Sequence, residues 1–113
     1  MNGLVDLNKE LLKGHIDTLI LSILNQEDSY GYEIAKIVKD ETTFELKEST
    51  MYVSLKRLES KGLIKSYWGD NQDSGGRRKY YNITEDGKEN LDLKIQEWNF
   101  IQEVMNKFLN KGK

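Results

Sequence analysis

The sequence predicts a mainly α-helical fold with a small β-hairpin and a long C-terminal helix, and three patterns support this prediction. Apolar residues recur at three- and four-residue spacing over residues 7–25, which is typical of an amphipathic helix. Residues 63–68 and 78–83 are rich in aromatic and β-branched side chains and flank a polar, glycine-rich loop, as hairpin strands do. Apolar residues at heptad-like spacing then run from Leu91 to Phe108. These patterns place one hairpin between helical segments.

Two shorter helices are expected between the first helix and the hairpin. Ser29 is a suitable N-cap for a helix over residues 30–41. The next helix spans residues 48–60 and stops before Gly62, a residue type that favours helix ends. The residues of the earlier helix that are expected to face the core are Ile34, Ile37 and Val38.

The last helix, capped by Thr84 and extending to about Leu109, is expected to join two copies of the chain. At about 26 residues it would be about 40 Å long, more than the rest of a small domain can cover. Its apolar stripe would face water in a monomer, so a second chain is the simplest cover. We therefore divide the chain into a first domain at residues 1–83, which includes the N-terminal helix, and a dimerisation helix at residues 84–113. The predicted dimer interface consists of Leu12, Ile16, Leu91, Trp98, Ile101, Met105 and Phe108.

The charge is distributed unevenly along the chain. The net charge is −2, but residues 47–80 carry eight Lys or Arg against four Asp or Glu, a net +4 that leaves −6 elsewhere. An acidic protein with one basic face can bind a polyanion through that face. Chance clustering is the alternative explanation.

Composition and motifs exclude several other classes of protein. Cysteine is absent, so no disulfide framework or thiolate metal site is expected, and no apolar run reaches the roughly 20 residues of a membrane span. No signal peptide is apparent, which favours the cytoplasm. We find no nucleophile–base pair, phosphate-binding loop or metal-ligand spacing, and we expect no enzyme activity, cofactor or metal. The single histidine, His15, is interpreted as a polar helix residue near the dimer interface.

The helix over residues 48–60 has the pattern of a DNA-reading helix. Met51, Leu55 and Leu58 fall on one face of a helical wheel. The opposite face carries Ser49, Val53, Lys56 and Ser60, with Tyr52 and Arg57 at its flanks. Short side chains allow close approach to the major groove, a valine can contact a thymine methyl group, and the cations can reach phosphates or base edges. An ordinary amphipathic helix with a solvated face remains the alternative.

The hairpin adds a second basic element. Arg77, Arg78 and Lys79 directly follow Gly75 and Gly76 at the end of the predicted loop. Adjacent cations on a hairpin suit contacts with the phosphate backbone or the minor groove. A charge cluster that protects a strand edge from aggregation is the alternative, although it does not explain the adjacent glycines.

Taken together, the motifs at residues 30–34, 49–59, 62–64 and 75–84 resemble the PadR family, in particular its short subfamily. The resemblance covers residues 7–109 and implies a winged helix-turn-helix fold, dimerisation through the first and last helices, and repression of nearby genes, such as a transporter or stress gene. With the reading helix and the hairpin, it implies that palindromic double-stranded DNA is the partner. The predicted DNA-binding residues are Tyr30, Tyr32, Ser49, Thr50, Tyr52, Val53, Lys56, Arg57, Gly76, Arg77, Arg78 and Lys79. A winged-helix module that binds protein and not DNA is the alternative function.

Trp98 has two interpretations, an interface anchor or an aromatic wall for a flat ligand. The chain also resembles a multidrug-responsive member of the family, which implies a small planar aromatic ligand in a pore between the subunits. Gln102 replaces an aspartate of that member and Ile95 replaces an aromatic residue, so a preference for cationic ligands is expected only if Glu97 or Glu103 substitutes for the aspartate. The predicted ligand-binding residues are Leu11, Gly14, His15, Thr18, Ile95, Trp98 and Gln102.

Overall fold

The computed structural model describes residues 11–71 and 76–110, without the side chains of residues 70 and 71. The elements are α1 (Ile16–Gln26), β1 (Ser29–Tyr30), α2 (Gly31–Thr42), α3 (Glu48–Ser60), β2 (Ile64–Asn71), β3 (Gly76–Ile83) and α4 (Glu85–Leu109). The predicted fold class, mainly helical with a small sheet and a long C-terminal helix, is therefore confirmed. None of the helices in the described ranges is both long and apolar enough to cross a membrane.

The sequence predicts one continuous helix over residues 7–25, but the structure interrupts this helix with a turn. Residues 11–13 are helical, residues 14–15 form a turn, and α1 begins at Ile16. Glycine has a low helix propensity, and the backbone of His15 (φ −120°, ψ 7°) lies outside the helical region. His15 instead donates its backbone N–H to the Leu12 carbonyl at 2.9 Å. Residues 7–10 of the predicted helix lie outside the described residues.

The N-cap of α2 is Tyr30, not Ser29 as predicted, because Ser29 and Tyr30 form a short strand. This strand, β1, pairs antiparallel with β3 in the register Ser29–Tyr81 and Tyr30–Tyr80. The backbone N–H of Tyr30 donates to the Glu33 carboxylate at 3.3 Å and thereby satisfies one group at the start of the helix. A two-residue strand is too short to show alternation, so the sequence pattern missed it.

The hairpin is longer than the segments 63–68 and 78–83 that predicted it. Strands β2 and β3 pair antiparallel from Ile64–Ile83 to Asn71–Gly76, and the sheet order is β1-β3-β2. The turn residues 72–75 lie outside the described residues.

The core lies between α1, α2, α3 and the sheet. The predicted inward face of α3 is confirmed, because Met51, Leu55 and Leu58 are buried. Ile37 is an incorrect core prediction, since its side chain is 39% exposed at the edge of α2. Ile16 and Leu91, assigned above to the dimer interface, are buried in the core of this chain itself. Their apolar spacing is therefore explained by packing within one protomer.

Thr84 caps α4 as predicted and places its first turns on the core. Its hydroxyl accepts a hydrogen bond from the Gly87 backbone N–H at 3.0 Å and donates to the Gly62 carbonyl at 2.7 Å. Gly87 is buried, and a β-carbon there would collide with the Leu63 carbonyl oxygen. Only glycine therefore permits this approach of α4 to the chain that follows α3.

Candidate nucleic-acid interface

The exposed face of α3 matches the predicted reading face. Ser49, Lys56 and Ser60 are exposed, and the side chain of Val53 is 60% exposed. The acidic Glu59 lies at the edge of this helix and accepts a hydrogen bond from the Ser66 hydroxyl at 2.7 Å. This face thus presents small polar groups, one apolar side chain and a lysine, a surface that can enter a major groove.

Tyr52 lies where α3 meets the start of α2. A β-carbon at Gly31 would come within 2.7 Å of the Tyr52 hydroxyl oxygen, so the absence of a side chain at Gly31 lets the two helices approach. The Tyr52 side chain is nevertheless 44% exposed. At the start of α2, the ring of Tyr32 stacks on that of Tyr30 with ring centroids 6.4 Å apart. The structure therefore brings three of the predicted tyrosines to the junction of the two helices.

The three adjacent cations of the hairpin point to two different faces of the sheet. The Arg77 guanidinium lies 5.9 Å from the Trp68 ring centroid, and the Lys79 ammonium lies 5.8 Å from that of Tyr81. Arg78, between them, lies 4.4 Å from the ring centroid of Tyr30. Side chains alternate across a strand, which accounts for this separation.

The face that carries Arg77 and Lys79 is the one that packs on α3. Tyr81 on this face is buried, and Ser66, its partner across the strands, contacts Glu59 of α3. Trp68 lies on the same face and is 57% exposed. Sequence reasoning did not assign Trp68 to the interface, although its position opposite Lys79 in a two-residue alternation was the available signal.

Arg57, predicted to contact DNA, is bound within the chain. Its Nε and Nη2 donate to the two carboxylate oxygens of Asp17 at 2.9 and 2.8 Å, and Nη2 also donates to the Ser54 hydroxyl at 3.1 Å. Burial raises the pKa of Asp17, but hydrogen bonds from Arg57 and Ser54 and the charges of Arg57 and Lys61 outweigh it. The pKa of Asp17 is therefore held below its ordinary value.

A groove of 410 Å³ lies between α1 and α4 beside Trp98. The imidazole of His15 contacts the indole of Trp98 edge to face, with ring centroids 6.0 Å apart. Gly14 and Thr18 also line the groove as predicted, whereas Leu11, Ile95 and Gln102 do not line it in the single chain. The lining residues that were not predicted are Leu12, Leu19, Lys94, Glu97 and Ile101.

The outer part of α4 extends beyond the core and is apolar. The predicted interface residues Trp98, Ile101, Met105 and Phe108 are between 47% and 68% exposed. Leu93 and Phe100 are also exposed, on an adjacent strip of the helix that the heptad pattern did not include. The apolar surface is therefore wider than a single coiled-coil seam.

Comparison with known proteins gives a consistent set of relatives. A family model described as "Transcriptional regulator PadR-like family" matches residues 20–93. The crystal structure of a PadR family transcription regulator from Clostridium difficile R20291 is 62% identical, covers 84% of this chain and 98% of that one, and gives a TM-score of 0.78. A PadR family regulator from Eggerthella lenta is 30% identical, with 98% and 96% coverage and a TM-score of 0.84. A protein of Lysinibacillus sphaericus is 40% identical over 102 residues, which are 88% of this chain and 93% of that protein.

Proposed function

Because the chain belongs to the PadR-like family of transcriptional regulators, we propose that it binds a palindromic operator as a homodimer through α3 and the β2–β3 hairpin. Family membership makes the chain a DNA-binding regulator of transcription and not an enzyme. The operator, the dimer and the individual contacts are our proposal.

The observation that carries the proposal is the arrangement of α3 beside one face of the hairpin. The exposed side of α3 offers Val53 and Lys56 to base edges and phosphates. Arg77 and Lys79 extend from the sheet face that packs on this helix. A helix in the major groove with hairpin cations on the adjacent backbone fits this geometry.

The exposed apolar surface of α4 supports the proposed homodimer. Isolated apolar side chains are common on protein surfaces, but a continuous strip from Trp98 to Phe108 is not. A second copy that covers the strip by two-fold symmetry supplies a second reading helix. Half-sites about 34–36 Å apart, one turn of duplex, would then be read together.

We also propose that the regulator acts in the cytoplasm and represses a nearby transporter or stress gene. It releases DNA when a planar aromatic ligand binds beside Trp98. Trp98 lines the groove beside His15, and its side chain is 51% exposed, so part of the indole is accessible to a stacking ligand. A ligand can release DNA only if it binds more tightly to a dimer whose reading helices no longer match the half-sites.

DNA binding is tested by fluorescence anisotropy with duplexes from the promoter region of the chain's own gene, over a range of salt concentrations. Each phosphate contact should contribute about −0.9 to the slope of log K against log salt. Lys56→Ala should weaken binding and flatten the slope by about 1. Lys107→Ala is the matched control, since Lys107 lies near the far end of α4 and pairs with Glu103. Binding that is absent or insensitive to salt would favour the protein-binding alternative.

Ligand binding is tested by titrating a planar aromatic dye while the emission of Trp98 is recorded. Trp68→Phe removes the other indole, so the remaining signal reports on Trp98 alone. A ligand with a Kd near 1 μM should quench this emission almost completely at about 100 μM dye. Unchanged emission at that concentration would overturn the ligand proposal and leave the DNA-binding proposal intact.

A further inference from the structure

The salt bridge between Asp17 and Arg57 joins α1 to α3 and differs from the other ion pairs described. Arg57 approaches Asp17 with two parallel N–H groups, at 2.8 and 2.9 Å, across 40 residues of sequence. By contrast, each of three lysine–carboxylate pairs joins two residues of a single helix: Lys36–Asp40, Lys94–Glu97 and Lys107–Glu103. A bidentate guanidinium–carboxylate pair fixes orientation as well as distance, which a lysine pair does not.

The side chain of Arg57 is also held in place within α3. Its Nη2 donates to Ser54, a buried residue one turn earlier in the same helix, at 3.1 Å. Three of the five guanidinium N–H groups are thereby used inside the chain. Val53, which occupies the reading face, precedes Ser54 directly, so a rotation of α3 that broke this network would move the reading face.

The same network removes Arg57 as a source of positive charge for DNA. The Asp17 carboxylate lies 2.8 Å from the Arg57 guanidinium, and the Asp17 side chain is 31% exposed. The two opposite charges cancel, so the pair has no net charge. A neutral pair releases few counterions when a phosphate approaches. The prediction that Arg57 binds DNA directly therefore conflicts with its surroundings.

We propose that Asp17, Arg57 and Ser54 form a positioning network that holds the reading helix α3 against α1, and that Arg57 supports DNA binding through Asp17 and not by contact with phosphate. This inference rests on the proposed function, because it assumes that α3 reads DNA. It extends that function by adding the acidic Asp17 to the residues that DNA binding needs.

The sign of the effect at Asp17 tests the network. If only charge mattered, Asp17→Asn would tighten DNA binding, because it removes a negative charge and frees Arg57. If the network positions α3, the same variant weakens binding by roughly tenfold, the size of one charge-assisted hydrogen bond. Operator affinity is measured by fluorescence anisotropy at two or more salt concentrations. Asp40→Asn, which removes an exposed carboxylate from α2, is the matched control and should not weaken binding.

Arg57→Lys supplies a second test that keeps the charge. Lysine can bind a phosphate but cannot form the two parallel bonds, so a positioning role predicts a loss comparable to that of Arg57→Ala. Arg57→Ala should leave the salt slope unchanged, whereas Lys56→Ala flattens it. The double variant Asp17→Asn with Arg57→Ala should bind no more weakly than Arg57→Ala alone, because both changes break one network.

Each variant is checked for folding by circular dichroism at the temperature of the binding assay. If Asp17→Asn does not fold, Arg57→Lys and its salt slope decide the question. Tighter binding by Asp17→Asn, full affinity of Arg57→Lys, or a flatter slope for Arg57→Ala would overturn the positioning role while DNA binding stands. Failure of the wild-type protein to bind any promoter duplex would instead overturn the proposed function itself.

Discussion

The two ends of α4 share one apolar spacing but have opposite surroundings. At the inner end, Gly87 and Leu91 are buried against the core of the chain. At the outer end, Trp98, Met105 and Phe108 stand largely in solvent. The heptad-like pattern runs through both ends and is interrupted at Lys94, with apolar residues resuming at Trp98. The pattern alone therefore does not distinguish packing within a protomer from packing between protomers. What distinguishes them is whether the rest of the chain reaches that part of the helix.

The inner end is the more sensitive of the two to a change in volume. Gly87→Ala would place a methyl group against the Leu63 backbone oxygen and 2.6 Å from Cγ1 of Ile83. We expect the free energy of unfolding to fall by about 3 kcal/mol, which is the upper end of the usual cost of overpacking. The cost is high because a backbone atom cannot move aside as a side chain can. Urea denaturation followed by circular dichroism at fixed protein concentration measures this loss.

Gly14→Ala is the matched control for that substitution. A β-carbon at Gly14 would meet no heavy atom of the described residues within 4 Å, so the same chemical change carries no steric cost against them. We expect a change within about 0.5 kcal/mol. Equal effects of the two substitutions would contradict the close packing of α4 at its inner end.

A substitution at the outer end is expected to change the association of two chains and not the folding of one chain. Met105→Asp places a charge on the exposed apolar strip, and a charge buried at a dimer interface loses its hydration. The dissociation constant of the proposed dimer should rise by about hundredfold or more, while the helical content is retained. Sedimentation equilibrium measures the association, with Gln96→Asp on the opposite side of the helix as the control. A wild-type protein that sediments as a monomer would contradict the interface.

The parts of the structure that depend on local periodicity were predicted well from the sequence. The helix at Glu48–Ser60 has the predicted bounds, and Met51, Leu55 and Leu58 are inward because a 3.6-residue period determines which side chains share a face. Thr84 was identified as a cap because its side-chain chemistry acts on a backbone group only three residues away.

The parts that depend on contacts between distant residues were not predicted. The partner of Arg57 lies 40 residues earlier, and no local pattern indicates that Asp17 would neutralise it. The burial of Leu91 depends on how far the core extends along α4, which is a property of the assembled fold. The alternation of Arg77 and Arg78 was, by contrast, predictable from a two-residue strand period once the hairpin was assigned.

The hairpin sharpens the comparison, because its exposed aromatic residues find partners inside the chain. Tyr67 stacks on Tyr80 with ring centroids 5.7 Å apart, and its hydroxyl donates to the Asp28 carboxylate at 2.6 Å. The hydrogen bond to Asp28, with smaller contributions from burial and from the Asp28 charge, raises the pKa of Tyr67 from 10.0 to about 12. The outer part of α4 offers its side chains few comparable partners among the described residues.

Titration of the tyrosines tests this difference with the smallest expected effect. Because the folded state holds the neutral phenol, the stabilisation from this hydrogen bond is complete below pH 10 and is lost as the pH rises through about 12. Asp28→Asn removes the charged acceptor and should return the pKa of Tyr67 towards 10.0. NMR of ring-labelled tyrosine, assigned with Tyr67→Phe, follows this single group, and Asp40→Asn should leave it unchanged. An unaltered titration of Tyr67 in Asp28→Asn would contradict the hydrogen bond between the hairpin and Asp28.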